Sequence, residues 1–141
     1  MRFFDASAVV KRYVREREST AVRRLLRAGD VAVSRLSEIE VVSALARLER
    51  EAAISRPQRN RAIAAFTTDL AAWHVVELSP DVVATARTLL VRHVLRAGDA
   101  IQLASAHVLR TALGQDLEAL VAYDQRVLTA AHAEQFTVVG N

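Results

Sequence analysis

Cysteine is absent from this 141-residue chain. Disulfides, thiolate metal sites and cysteine nucleophiles are therefore excluded, and a reducing compartment is compatible with the sequence. Aromatic residues make up only 5% of it, so no stacking surface for single-stranded bases stands out. The four histidines, His74, His93, His107 and His132, show no zinc-type spacing with one another or with the acids. No apolar stretch approaches the roughly 18–20 uncharged residues of a membrane span. The first residues carry one arginine and then an acid at position 5, unlike a signal peptide. A soluble cytoplasmic protein is the expectation. Lysine is almost absent too: Lys11 is the only one, and arginine supplies the other 18 of 19 basic residues. The planar guanidinium pairs bidentately with phosphate, so this excess suits a nucleic-acid partner. An Ala- and Arg-rich chain is equally what a GC-rich genome encodes.

What is present is a large apolar share, 52%, enough for a genuine core, with a net charge of +3. One domain over residues 1–141 is expected, without internal repeat, linker or low-complexity tract. The apolar patterning alternates strands and helices. Residues 1–4 predict a strand and Ala6–Val14 a helix. Glu18–Ala28 predicts a second helix, with Val31–Ser34 a buried strand after it. Ser37 is placed to cap a long helix in which Val41, Leu45, Leu48 and Ala52 share a face. Ser55-Arg-Pro-Gln58 has the form of a capping box for the next helix, whose stripe is Ile63, Phe66, Leu70 and Trp73. His74–Leu78 predicts a strand. Ser79-Pro80 opens a helix with Val83, Ala86 and Leu90 on one side. The helix from about Asp99 to Leu113 is apolar nearly all round and should be buried. A strand at Leu117–Ala122, a helix at Gln125–Ala133 and a strand at Phe136–Val139 complete the chain. Such alternation predicts an α/β fold with a mostly parallel sheet.

Asp5 and Asp124 each directly follow a predicted strand, and Glu40 lies one turn into the helix after another. Asp99 opens the buried helix. Taken singly, each acid has a structural explanation, since Asp and Glu are favoured at helix N-termini; Ser37-Glu-Ile-Glu40 even fits a capping box. Taken together, a parallel sheet would bring them to one edge, where ligands of open α/β sheets bind. Clustered carboxylates repel one another and are costly to bury, and a hard divalent cation with oxygen ligands, Mg²⁺ or Mn²⁺, relieves both problems.

Four blocks carry a resemblance: Phe4-Asp-Ala-Ser-Ala-Val-Val-Lys11, Ser37-Glu-Ile-Glu-Val-Val-Ser-Ala-Leu45, Leu95-Arg-Ala-Gly-Asp-Ala-Ile-Gln-Leu-Ala104 and Leu120-Val-Ala-Tyr-Asp-Gln-Arg-Val-Leu128. In order and spacing they resemble the PIN-domain family of the VapC ribonuclease-toxin type. The resemblance implies a three-layer α/β/α sandwich around a roughly five-stranded parallel sheet. It also implies RNA cleavage dependent on Mg²⁺ or Mn²⁺, a structured RNA such as tRNA as substrate, a cognate VapB-type antitoxin and a homodimer. Asp5, Glu40 and Asp99 match the family's core acids and Asp124 its more variable fourth. Glu38 competes with Glu40, but side chains two apart on a helix point about 200° away from each other, and the motif favours Glu40. Ser7 matches a small hydroxyl residue common near the first acid. Where the family often has Thr or Ser two residues before the fourth acid, this chain has Ala122.

Arg47 shares a helix face with Glu40 and could meet substrate phosphate, or simply face solvent. Arg96, three residues before Asp99, is placed to neutralise or steer near it. The apolar side chains Val9, Val10, Tyr13, Val14, Val22 and Leu26 are candidates for an antitoxin groove or a dimer face, or for the core. Two rival enzyme classes fit less well. A receiver-like phosphoacceptor needs a lysine near the end of the last strand, and an aspartate-based phosphatase needs an acid at position 7, which is Ser7. A non-catalytic RNA-binding or scaffold domain of the same fold is the other alternative.

Overall fold

In the computed structural model, which describes residues 1–140, five parallel strands form one sheet. They are β1 (Arg2–Phe4), β2 (Val31–Ser34), β3 (His74–Val76), β4 (Ala119–Val121) and β5 (Val138–Val139), in the order β3-β2-β1-β4-β5. The helices are α1 (Ala6–Val9), α2 (Ser19–Arg27), α3 (Ser37–Arg50), α4 (Arg56–Ala72), α5 (Pro80–Arg92), α6 (Ala97–Leu113) and α7 (Gln125–Ala133). Successive strand residues point to opposite faces, and the two adjacent phenylalanines of β1 show it. Phe3 packs with Val82, Leu89, Leu103 and Val127 of α5, α6 and α7. Phe4 packs with Val9, Val22, Leu45 and Phe66 of α1 to α4. The sheet is thus covered on both faces, the three-layer α/β/α sandwich expected. No helix among the described residues is long and apolar enough to cross a membrane.

The strand order reverses between β1 and β4, because the chain builds outward through β2 and β3 on one side and through β4 and β5 on the other. Ligands of open α/β sheets bind in the crevice at this reversal, outside the carboxyl ends of the strands. Asp5 and Asp124 follow the two strands that flank it.

Several local expectations shift. The first helix ends at Val9 and continues only as one 3₁₀ turn, Val10–Arg12. There Arg12 and Tyr13 both turn to Asp69 of α4, which accepts 2.6 Å hydrogen bonds from Arg12 Nε and Tyr13 Oη. On α5 the buried face is Val82, Ala86 and Leu89, while Val83 and Leu90 are exposed. Packing on α6 sets this phase, one residue away from the periodicity. Val9, Val10, Val14, Val22 and Leu26 are buried in the chain's own core, so they offer no face to a partner. The exposed large apolar side chains are instead Ile39, Leu78, Val83, Leu90, Val91 and Val94. In the last segment only Val138 and Val139 pair as a strand; Phe136 turns into the core beneath the Arg110 guanidinium, 3.7 Å from its ring centroid.

Candidate metal centre and active site

Asp5 continues the ladder past β1. Its amide donates to Val121 O at 2.9 Å, which brings the β1 and β4 tips side by side. Its backbone is extended (φ −67°, ψ 154°), and its carboxylate caps α1 by accepting from the Ser7 amide at 3.0 Å. The Ser7 hydroxyl donates to the same oxygen, Oδ2, and accepts from the Tyr123 amide at 2.9 Å. One small side chain thus clamps the two strand tips together. Asp124 caps α7, with Oδ1 accepting from the amides of Arg126 (2.9 Å) and Val127 (3.2 Å). Asp99 lies in the first turn of α6, where Oδ2 accepts from the Arg96 amide at 3.0 Å.

Glu40 differs, and the expected capping box at Ser37 does not form. Leu36 occupies the cap position of α3 without a side-chain cap, and Ser34 Oγ accepts from the Leu36 amide. The Ser37 hydroxyl turns inward and accepts from Gln102 Nε2 at 3.0 Å, both residues being fully buried. Glu40 is therefore free of capping duty. Glu38 points elsewhere and pairs with Arg35 at 2.8 Å. At Gly98 a Cβ would stand 2.7 Å from Glu40 Oε1, so the glycine lets that carboxylate lie against the start of α6.

All six residues singled out from the sequence line one cleft of about 590 Å³: Asp5, Glu40, Asp99, Asp124, Ser7 and Arg47. Arg47 reaches it with a largely exposed side chain whose nearest carboxylate is Glu51, 4.0 Å away. Ala122 is fully buried and brings no hydroxyl; Ser7 bonds the neighbouring Tyr123 amide from across the sheet.

The electrostatics are those of crowded acids. Burial raises the Asp5 carboxyl to about 6, with Asp124 and Asp99 adding repulsion against the two bonds from Ser7. Burial likewise raises Glu40 to about 7, helped by Asp5 and Asp99 and opposed by a bond from Gln102. As placed, no three acidic or histidine side chains among the described residues stand close enough to chelate an ion together. The donor set nevertheless fits Mg²⁺ or Mn²⁺. These hard cations take oxygen ligands, Mg²⁺ retains several waters, and one or two carboxylates suffice. Added positive charge also favours the ionised forms of Asp5 and Glu40, whose pKa values burial and neighbouring acids raise.

Three features here escape sequence reasoning. Gly98 looks only like a helix breaker, and its service to Glu40 depends on the contact between α3 and α6. Gln102 left a signal as a polar residue in a nearly all-apolar helix. Two of the four histidines meet at an acid outside that cleft: His93 Nε2 lies 2.6 Å and His107 Nε2 3.8 Å from Glu134, joining α5 and α6 to the end of α7.

The model of the PIN domain family matches residues 2–133. Ribonuclease VapC46 of Mycobacterium tuberculosis (strain ATCC 25618 / H37Rv) is 37% identical over 138 residues, covering 97% of this chain and 95% of the relative. Ribonuclease VapC45 of Mycobacterium tuberculosis (strain CDC 1551 / Oshkosh) is 36% identical over 132 residues, 93% of this chain and 89% of the relative. Among solved structures, a toxin-antitoxin complex from Klebsiella pneumoniae superposes with a TM-score of 0.69 at 18% identity, covering 99% of this chain and 96% of that one.

Proposed function

Since the chain belongs to the PIN domain family, with VapC ribonucleases as its relatives, we propose that it is a divalent-metal-dependent endoribonuclease. In this reading it is the toxin of a cytoplasmic toxin–antitoxin pair. The observation that carries the reading is that four elements distant in sequence deliver Asp5, Glu40, Asp99 and Asp124 to one cleft at the reversal of strand order.

Asp5, Asp99, Glu40 and Asp124 would hold Mg²⁺ or Mn²⁺. When bound, the ion supplies an acidified water and positive charge for the phosphoryl oxygens. The chain's residues do the rest. Asp5 and Glu40, raised to about 6 and about 7, would have to be ionised to hold the ion, so its affinity would rise with pH through that range. Ser7 holds the Asp5 carboxylate in orientation, and the α1 and α7 amide caps hold Asp5 and Asp124. Arg47 lies along the cleft, where a guanidinium can meet the RNA backbone. The reaction is in-line hydrolysis: water oxygen bonds to phosphorus, the bond to the 3′ oxygen breaks, and that oxygen takes a proton. The products are a 5′-phosphate and a 3′-hydroxyl.

A structured RNA such as tRNA is the substrate class, and a VapB-type antitoxin is the partner. The Klebsiella neighbour, itself a toxin-antitoxin complex, supports that partner through its fold. A homodimer belongs to the same reading, and the exposed Val83, Leu90, Val91 and Val94 are apolar surface suited to it.

Purified chain free of any antitoxin should cut tRNA in Mg²⁺ or Mn²⁺ and stop on adding EDTA. Asp5→Asn and Asp99→Asn should each slow cleavage at least 100-fold while keeping the far-UV circular dichroism of wild type. If both variants cut at the wild-type rate, the site is elsewhere. If wild type cuts nothing yet binds RNA, the non-catalytic RNA-binding alternative takes its place.

A further inference from the structure

The acid cleft already contains a cation of the chain's own. Arg96 immediately precedes α6, and its guanidinium spans two of the acids. Nε lies 3.3 Å from Asp99 Oδ2, and Nη2 lies 3.4 Å from Asp124 Oδ2. It thus joins the acid of α6 to the acid beyond β4, which no backbone pairing connects. Other basic side chains near the cleft are engaged with other carboxylates. Lys11 Nζ is held at 2.9 Å by both Glu16 and Glu18 and lies over the Tyr123 ring. Arg47 leans toward Glu51, and Arg35 bonds Glu38 and Glu77.

The Arg96 contacts are longer than the 2.7–2.9 Å of tight charge-assisted bonds, and the side chain is 67% exposed. Such exposed pairs are weak and exchange readily. The arrangement offsets part of the negative charge of Asp99 and Asp124 without locking them.

We propose that Arg96 is the resident counter-ion of the acid cluster: it stands between Asp99 and Asp124 where a divalent cation would bind, and it must leave those carboxylates for the ion to enter. The inference rests on the metal-dependent reading and adds to it a residue that sets how much free cation the site requires. Removing the guanidinium frees two ligands from a competitor, so affinity for the ion rises. A general loss of positive charge near the cleft would act differently, since it would not matter which arginine was removed.

Calorimetric Mn²⁺ titration of the antitoxin-free chain at low ionic strength separates these cases, with Arg96→Gln, Arg96→Lys, Arg47→Gln and Asp5→Asn beside wild type. We expect Arg96→Gln to bind Mn²⁺ about 3- to 10-fold more tightly, the range that weak exposed pairs allow. Arg96→Lys should fall between it and wild type, because a lysine keeps the charge but cannot fork between two carboxylates. Arg47→Gln should shift affinity by less than about 2-fold. Arg96→Gln affinity equal to or below wild type overturns the proposal, as does an equal gain in Arg47→Gln. If wild type binds Mn²⁺ and Asp5→Asn abolishes it, the metal site stands whatever Arg96 does. If neither wild type nor Arg96→Gln binds at millimolar Mn²⁺, the proposal and the metal-dependent reading fall together.

Discussion

The Ser7 hydroxyl donates to Asp5 and accepts from the Tyr123 amide, so its loss should be felt twice. Ser7→Ala leaves the Tyr123 N–H without its partner, at a cost of about 1–2 kcal/mol in denaturant unfolding. It also removes a hydrogen bond that favours the ionised Asp5, so the Asp5 carboxyl rises further above about 6. Cleavage should then need a higher pH, and a pH–rate profile displaced upward from wild type is the measurement. Asp5 itself sets a stability trend. Its folded pKa, about 6, lies above the ordinary 3.8, so in the metal-free protein the folded state holds the extra proton between those values. The Asp5 contribution to stability therefore falls as pH rises through that window, and the Glu40 contribution falls up to about 7. Asp5→Asn should flatten this slope and make the metal-free protein more stable at pH 8, by on the order of 2 kcal/mol. Thermal melts of both proteins in EDTA from pH 4 to 8 test it, and a stability difference between Asp5→Asn and wild type that does not grow with pH would contradict the assignment. At this scale the sequence was informative about acids at strand ends, because a carboxylate following an apolar run marks its own position. It was silent on Ser7 as a clamp, because the amide that donates to its hydroxyl lies 116 residues away.

Among the elements, α3 and α6 shape the site through their contact. Glu40 approaches the first turn of α6 only because residue 98 has no side chain. Gly98→Ala places a methyl group 2.7 Å from the present position of Glu40 Oε1, and the flexible carboxylate must move. Helix propensity favours alanine over glycine by about 0.5–1 kcal/mol. The variant should therefore melt no lower than wild type yet cut RNA roughly 10-fold more slowly. A fall in Tm alongside the lost activity would instead indicate a packing defect. The buried pair Ser37–Gln102 ties the same two helices together behind the acids. Helix existence and length were largely legible: α7 runs over Gln125–Ala133 and the Ser55–Gln58 capping box is present. Helix phase on α5 was not, because Val82, Val83, Leu89 and Leu90 are all apolar and only the neighbour α6 selects between them. Ser37 misled for a related reason. A serine before an acidic turn is a good cap in isolation, but here a buried glutamine takes its hydroxyl.

For the molecule as a whole, the proposed ion binds the folded state and not the unfolded chain, so it should stabilise the protein. At 100 times Kd the gain is about 2.7 kcal/mol, which for a chain of this size corresponds to a rise in Tm of roughly 5–10 °C. EDTA should reverse it, and Asp99→Asn should largely lack it. RNA affinity should fall steeply with salt, because phosphate contacts from arginine release counterions. A plot of log affinity against log salt for tRNA, measured without divalent ions, gives the number of contacts. A flat plot would dissociate the 18 arginines from RNA binding.

The sequence by itself determined the α/β alternation, a short first strand at residues 1–4, and the positions along the chain of the four acids. Each of these depends on local periodicity or on a residue's immediate neighbours. Tertiary structure alone decided the strand order β3-β2-β1-β4-β5, and hence that the reversal falls between the strands leading to Asp5 and Asp124. It also decided that Glu40 escapes capping duty and that Arg96 spans Asp99 and Asp124. These depend on which elements pack side by side, and residues far apart in the chain carry no local pattern that records their meeting.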